Sequence, residues 1–119
     1  VTPRDRAAHD SALARMAALR PQVVFANELE AAVLGDGLRP ERLGGATVIV
    51  KRGPGPATVW RSGHDPVDVA ARELTEVRDT TGAGDAFAAG VLLALADGAD
   101  AVTAVGHGHD VAAAALRDR

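Results

Sequence analysis

One stretch limits what this chain can become more than any other: Asp79-Thr80-Thr81-Gly82-Ala83-Gly84-Asp85-Ala86-Phe87. It follows a short apolar run, Leu74 to Val77, and opens an Ala-rich segment that reads as a helix from Gly82 to Ala96. Glycines at a helix start leave backbone N–H groups open at the positive end of the helix dipole, which makes an anion site. Asp85 stands inside that site, where its charge would repel a phosphate that was merely bound. The arrangement makes chemical sense if the Asp85 carboxylate takes a proton from a hydroxyl. The N–H groups of Gly82, Ala83 and Gly84 would then hold the phosphoryl group that the hydroxyl attacks. A dinucleotide fingerprint also begins Gly-x-Gly, but here Phe87 replaces its last glycine and the fourth position is acidic.

The 119 residues suffice for one small domain. Apolar residues make up 47% but aromatics only 3%, so the core must come from Ala and Val and buries little area per residue. A net charge of −3 gives no reason to expect nucleic acid. Without cysteine there is neither a disulfide nor a thiolate zinc site, which fits a cytoplasmic protein. No apolar run reaches 18 residues, so no membrane helix is expected. The chain begins Val1-Thr2-Pro3 without a methionine and stops at Arg119, abruptly after an Ala-rich helical run. Both ends read as cuts, so the expectation is a piece of a longer protein.

Apolar residues at helical spacing, Ala8, Ala12, Met16 and Leu19 with Leu13 beside them, predict a helix from Asp5 to Leu19. Gln22 to Ala26 reads as a buried strand, and Asn27 to Leu34 as a helix closed by Gly35. Gly37 to Gly45 is turn-rich, with one helical turn near Glu41. Ala46 to Lys51 and Ala57 to Arg61 read as two strands of a hairpin around Gly53-Pro54-Gly55-Pro56. Val67 to Ala71 and Leu74 to Val77 are further short strands. Ala101 to Leu116 reads as a last helix weakened by Gly106 and Gly108. Helices and strands in this alternation give an α/β domain.

Asn27 and Glu30 share one face at the start of a helix, which is the spacing of a capping box. His107 and His109 stand two apart on a helix and point in different directions, which argues against chelation. Phe87, Gly90, Val91 and Ala94 recur at helical spacing and mark a core face, with Gly90 allowing close packing against the sheet.

The Asp79–Phe87 segment resembles the C-terminal signature of the ribokinase-like (PfkB) family of carbohydrate and nucleoside kinases. The resemblance covers most of the chain and implies the C-terminal portion of a three-layer αβα sandwich with a mostly parallel central sheet. The half carrying most substrate contacts and the lid would be absent. Asn27-Glu28-Leu29-Glu30 resembles the family's N-x-x-E motif, which implies that Asn27 and Glu30 organise Mg²⁺ and its waters, chemistry that few protein oxygens can supply. Phe25 departs from the basic residue that many members carry two before the Asn. Val48-Ile49-Val50-Lys51-Arg52-Gly53 resembles the strand and turn that meet the nucleotide, placing Lys51 and Gly53 beside ATP. Pro56 stands where the family has a second glycine.

Asp79 and Thr81 fall where family members help to bind a monovalent cation such as K⁺ through backbone oxygens; Thr81 is also a candidate helix cap beside the anion site. His109 falls where the family helix passes near the adenine. The resemblance therefore implies an ATP- and Mg²⁺-dependent phosphotransferase. It would act on a hydroxymethyl group of a sugar or nucleoside, with Asp85 as base and a homodimer formed through the lid of the full-length enzyme. A non-catalytic nucleotide-binding module and an inactive kinase fragment stay open as alternatives. The 119-residue chain alone is not expected to turn over.

Overall fold

The computed structural model describes residues 3–19, 21–71 and 82–117. The strand expected at Leu74–Val77 and the calls on Asp79 and Thr81 lie outside the described residues. Two strands run parallel because a helix returns the chain between them: β1 (Val23–Asn27) and β2 (Thr47–Lys51) are joined through α2 (Glu28–Leu34) and two 3₁₀ turns, Gly35–Leu38 and Pro40–Arg42. β3 (Ala57–Trp60) and β4 (Val67–Val69) follow antiparallel, giving the order β1-β2-β3-β4. Helix α1 (Pro3–Leu19) precedes the sheet; α3 (Ala83–Ala96) and α4 (Ala101–Arg117) follow it.

The period-2 pleat sorts the strand residues between two cores. Ile49, Ala57 and Val59, with Val23 and Phe25, meet Phe87, Val91, Ala104 and Val105 from α3 and α4. Val48, Val50 and Ala26, with Val24 and Trp60, meet Leu38, Leu43, Ala31, Leu34 and Leu13 on the opposite face. The sheet is therefore a middle layer covered on both faces, which is why β1 and β2 read as unbroken apolar runs rather than alternating ones. A three-layer α/β sandwich results, with one parallel pair among the described strands.

The first helix forms where the apolar spacing places it, α1 running Pro3–Leu19. Among its described side chains Ala8 and Ala12 are exposed, Leu19 is 81% exposed, and Leu13 packs against the sheet layer. Alanine contributes too little area for such a stripe to dictate burial. Leu29, Val33, Leu92 and Leu93 are also exposed, and β1 pairs on one side only among the described residues.

Helices α3 and α4 cross where both have glycine. A Cβ at Gly90 would lie 3.0 Å from the Gly108 Cα and 2.9 Å from a Val111 methyl. A Cβ at Gly108 would lie 2.8 Å from the Phe87 carbonyl oxygen and 2.6 Å from a Val91 methyl. The close partner of Gly90 is thus α4, not the sheet. Gly108 lets the helices approach and is not simply a weak point, whereas a Cβ at Gly106 would meet nothing within 4 Å. Asp100 starts α4, accepting from the Thr103 N–H at 2.8 Å and the Thr103 hydroxyl at 3.1 Å.

Alanine at these two glycines should therefore act in opposite directions. Gly108→Ala overpacks the crossing and should cost about 1–3 kcal/mol. Gly106→Ala removes a helix-interior glycine without a clash and should gain about 0.5–1 kcal/mol. Denaturant unfolding of both variants checks the pair; equal effects would show that the crossing is not close-packed.

Candidate functional site

The parallel register places Asn27 opposite Lys51, so the carboxyl ends of β1 and β2 finish side by side. In open α/β sheets this end of the strands is where ligands sit. Three sequence segments meet there, and an aromatic cluster joins them. The Phe87 ring is 6.4 Å from the Phe25 ring in an edge-on arrangement and 5.6 Å from Lys51 Nζ. Phe87 lies two residues after Asp85, so its burial fixes the start of α3 against the ends of β1 and β2.

Gly82 is the N-cap of α3 with φ of 82°, a left-handed conformation that glycine adopts without strain. Having no side chain, it spends none of the first-turn N–H groups on capping; the first helical bond runs from Ala86 N–H to the Gly82 carbonyl at 2.9 Å. The N–H groups of Ala83 and Gly84 belong to the unsatisfied donors of a helix start. Gly82, Gly84 and Asp85 are exposed, and a Cβ at Gly84 would meet nothing within 4 Å. Packing among the described residues therefore gives no reason for a glycine at 84, although glycine weakens a helix. The open space over Gly84 fits an anion approaching the backbone, with the Asp85 carboxylate in the same turn.

Asn27 and Glu30 form a complete capping box: Glu30 N–H donates to Asn27 Oδ1 at 2.8 Å and Asn27 N–H donates to Glu30 Oε1 at 2.9 Å. Both residues are exposed. The box orients the Glu30 carboxylate while leaving its second oxygen outside the reciprocal pair. That donor set suits a cation that keeps most of its water. Among the described residues no group of three or more His, Asp or Glu side chains could hold a metal directly.

Lys51 is half-buried at the end of β2. Its Nζ donates to the Gly53 carbonyl and, at 3.3 Å, to the Gly55 carbonyl. Burial lowers its pKa from the ordinary lysine value. Next to it Arg52 turns outward. Its guanidinium donates to the Thr58 hydroxyl and lies 3.9 Å from Asp68 Oδ1, and the Thr58 hydroxyl donates to Asp68 at 2.6 Å. Gly53 is exposed at the tip of the turn, and Gly55 N–H closes it onto the Arg52 carbonyl at 2.8 Å.

His109 is 4% exposed, with Nε2 2.9 Å from the Val69 carbonyl oxygen and its ring 5.1 Å from Phe87. A carbonyl only accepts, so Nε2 carries the proton. The structure thus puts His109 inside the α3–α4–β4 layer, while its neighbour His107 is exposed. The helical spacing Val105, His109, Ala112 was the signal for this burial. The Lys51–turn bonds left no such signal, because nothing local tells a solvated lysine from one folded under its own turn.

The family described as pfkB family carbohydrate kinase matches residues 4–119, and the chain belongs to it. The 2-dehydro-3-deoxygluconokinase of Escherichia coli K12 is 39% identical over 83 residues, which is 68% of this chain and 27% of that protein. The solved adenosine kinase from Sinorhizobium meliloti is similar over 92% of this chain and 35% of its own, with 30% identity and a TM-score of 0.77. A probable sugar kinase from Rhizobium etli is similar over 92% and 34%, with 28% identity and a TM-score of 0.74. The chain thus spans about a quarter to a third of these relatives. No helix among the described residues is long and apolar enough to cross a membrane.

The buried histidine makes stability depend on pH. Burial is the largest influence and lowers the His109 pKa below 6.5; Lys51 acts the same way, while the Val69 carbonyl and Asp110 oppose it. The unfolded chain then binds the proton first as pH falls. The contribution is complete above the unfolded value and is lost as pH drops through it towards the folded one. The unfolding midpoint should fall from about pH 7 to about pH 5, and His109→Gln should flatten part of that slope. An identical slope in the variant would remove His109 as its source.

Proposed function

We propose that this chain is the nucleotide-side, C-terminal portion of a phosphotransferase that moves the γ-phosphoryl of ATP to a hydroxymethyl group of a sugar-type acceptor. The observation that carries the reading is the meeting of the Asp85-bearing first turn of α3 with the carboxyl ends of β1 and β2 through Phe87. Asp85 would accept the hydroxyl proton. The N–H groups of Gly82, Ala83 and Gly84 would donate to the phosphoryl oxygens, and the space over Gly84 would admit them. Asn27 and Glu30 would hold the waters of Mg²⁺, which when bound neutralises charge on the phosphates. Gly53 would form part of the nucleotide wall. His109 would act from behind it, holding β4 and the Phe87 ring in place. Asp79 and Thr81 remain proposals for the monovalent cation.

The acceptor to test first is a deoxy sugar acid, because the 39% identical relative is a 2-dehydro-3-deoxygluconokinase. Adenosine comes second, on the likeness to the Sinorhizobium enzyme. Acceptor contacts and a lid would come from chain outside these residues, so the 119 residues alone should give no turnover above background. A dimer of the intact protein through that lid belongs to the same reading.

Asp85→Asn in the intact protein should lower kcat by about 10²–10⁴-fold with ATP affinity nearly unchanged. A loss smaller than about tenfold, measured with the acceptor that gives turnover, would disprove the base assignment. Glu30→Gln keeps an oxygen for the Asn27 N–H but removes the charge. It should raise the Mg²⁺ concentration for half-maximal rate by about tenfold or more. A purely capping role predicts no such change, and Glu30→Ala would then show only a stability loss of about 0.5–2 kcal/mol.

A further inference from the structure

Lys51 looks at first like a cation offered to a phosphate, but its ammonium is turned inward. An ammonium has three N–H donors. Two of them are engaged by the carbonyls of Gly53 and Gly55, and Nζ also lies 5.6 Å from the Phe87 ring centre. The turn of residues 52–56 is thereby held from two sides. Arg52 ties its outer side to Thr58 and Asp68 on β3 and β4, and Lys51 ties its inner side towards the start of α3. The turn also closes on itself, the Gly55 N–H donating to the Arg52 carbonyl at 2.8 Å.

We propose that Lys51 is a positioning residue: its ammonium fixes the 52–56 turn over the Phe87 end of α3 and does not contact the transferred group. Two effects follow from the geometry. The turn keeps a constant height above the carboxyl ends of β1 and β2. The two carbonyl oxygens, which would repel an anionic ligand, are neutralised by the cation beneath them. The turn-holding role stands on the bonds alone; its consequence for nucleotide binding rests on the phosphotransferase reading.

Lys51→Met and Lys51→Gln in the intact protein separate these roles. Methionine removes both donor and charge, whereas glutamine keeps a donor without the charge. In Lys51→Met the N–H groups of Gly53, Gly55 and Ala57 should exchange with deuterium roughly tenfold faster, the size expected when a charged hydrogen bond is lost. The KM for ATP should rise roughly tenfold with kcat changed by less than about threefold, because ground-state and transition-state binding suffer alike. Lys51→Gln should recover much of both effects. Unchanged exchange in Lys51→Met would overturn the proposal. So would a kcat loss above about 100-fold that is equal in both variants, which would mark a charge acting on the reacting group. If the intact protein turned over no acceptor, the phosphotransferase reading would fail while the exchange comparison still decided the role of Lys51.

Discussion

The burial of one ring, Phe87, is the contact on which the site depends. It is 2% exposed and lies against Phe25 of β1, Lys51 of β2 and His109 of α4. With aromatics only 3% of the chain, few side chains are large enough to span from a helix to two strands at once. Because Phe87 sits half a turn past Asp85, fixing the ring also fixes the carboxylate and the open N–H groups before it. A helix start whose position wandered would lose the close placement that phosphoryl transfer requires.

Around that ring the chain packs by close approach rather than by large side chains. Gly90 and Gly108 let α3 and α4 come near enough for their backbones to touch, which compensates for a core of Ala and Val. His109 closes the same layer, using its polar edge to hold the short β4 through Val69. Buried polar groups must find partners, so this bond both satisfies the imidazole and ties down a strand of three residues. The opposite layer is held by Leu38 of the first 3₁₀ turn and Leu43 just after the second, with Arg39 stacked 3.7 Å over Trp60.

Much of this was legible residue by residue. The β-branched runs before Asn27 and Lys51 gave β1 and β2, and the Asn27–Glu30 spacing gave the capping box that the structure contains. The paired glycines gave the start of α3, and the spacing of Phe87, Gly90 and Val91 gave its buried face. The Asp5–Leu19 spacing gave α1 but not what it buries, because alanines at helical spacing fit an exposed helix as well as a buried one. The resemblance sets His109 near the adenine, and the structure shows it 4% exposed, in line with the burial of its neighbours at helical spacing.

The sequence by itself determined the chemical inventory: an acid in a glycine-rich helix start, an Asn–Glu pair at another, and a Lys–Arg–Gly turn. Those are local patterns, and backbone geometry over a few residues is enough to specify them. The tertiary structure alone decided which of them act together. The parallel register that sets Asn27 beside Lys51, the ring contacts of Phe87, the Gly90–Gly108 crossing and the inward turn of the Lys51 ammonium all join residues far apart in the chain. Such contacts form only when burying apolar surface outweighs the entropy of closing long loops, and no short window of sequence records that balance.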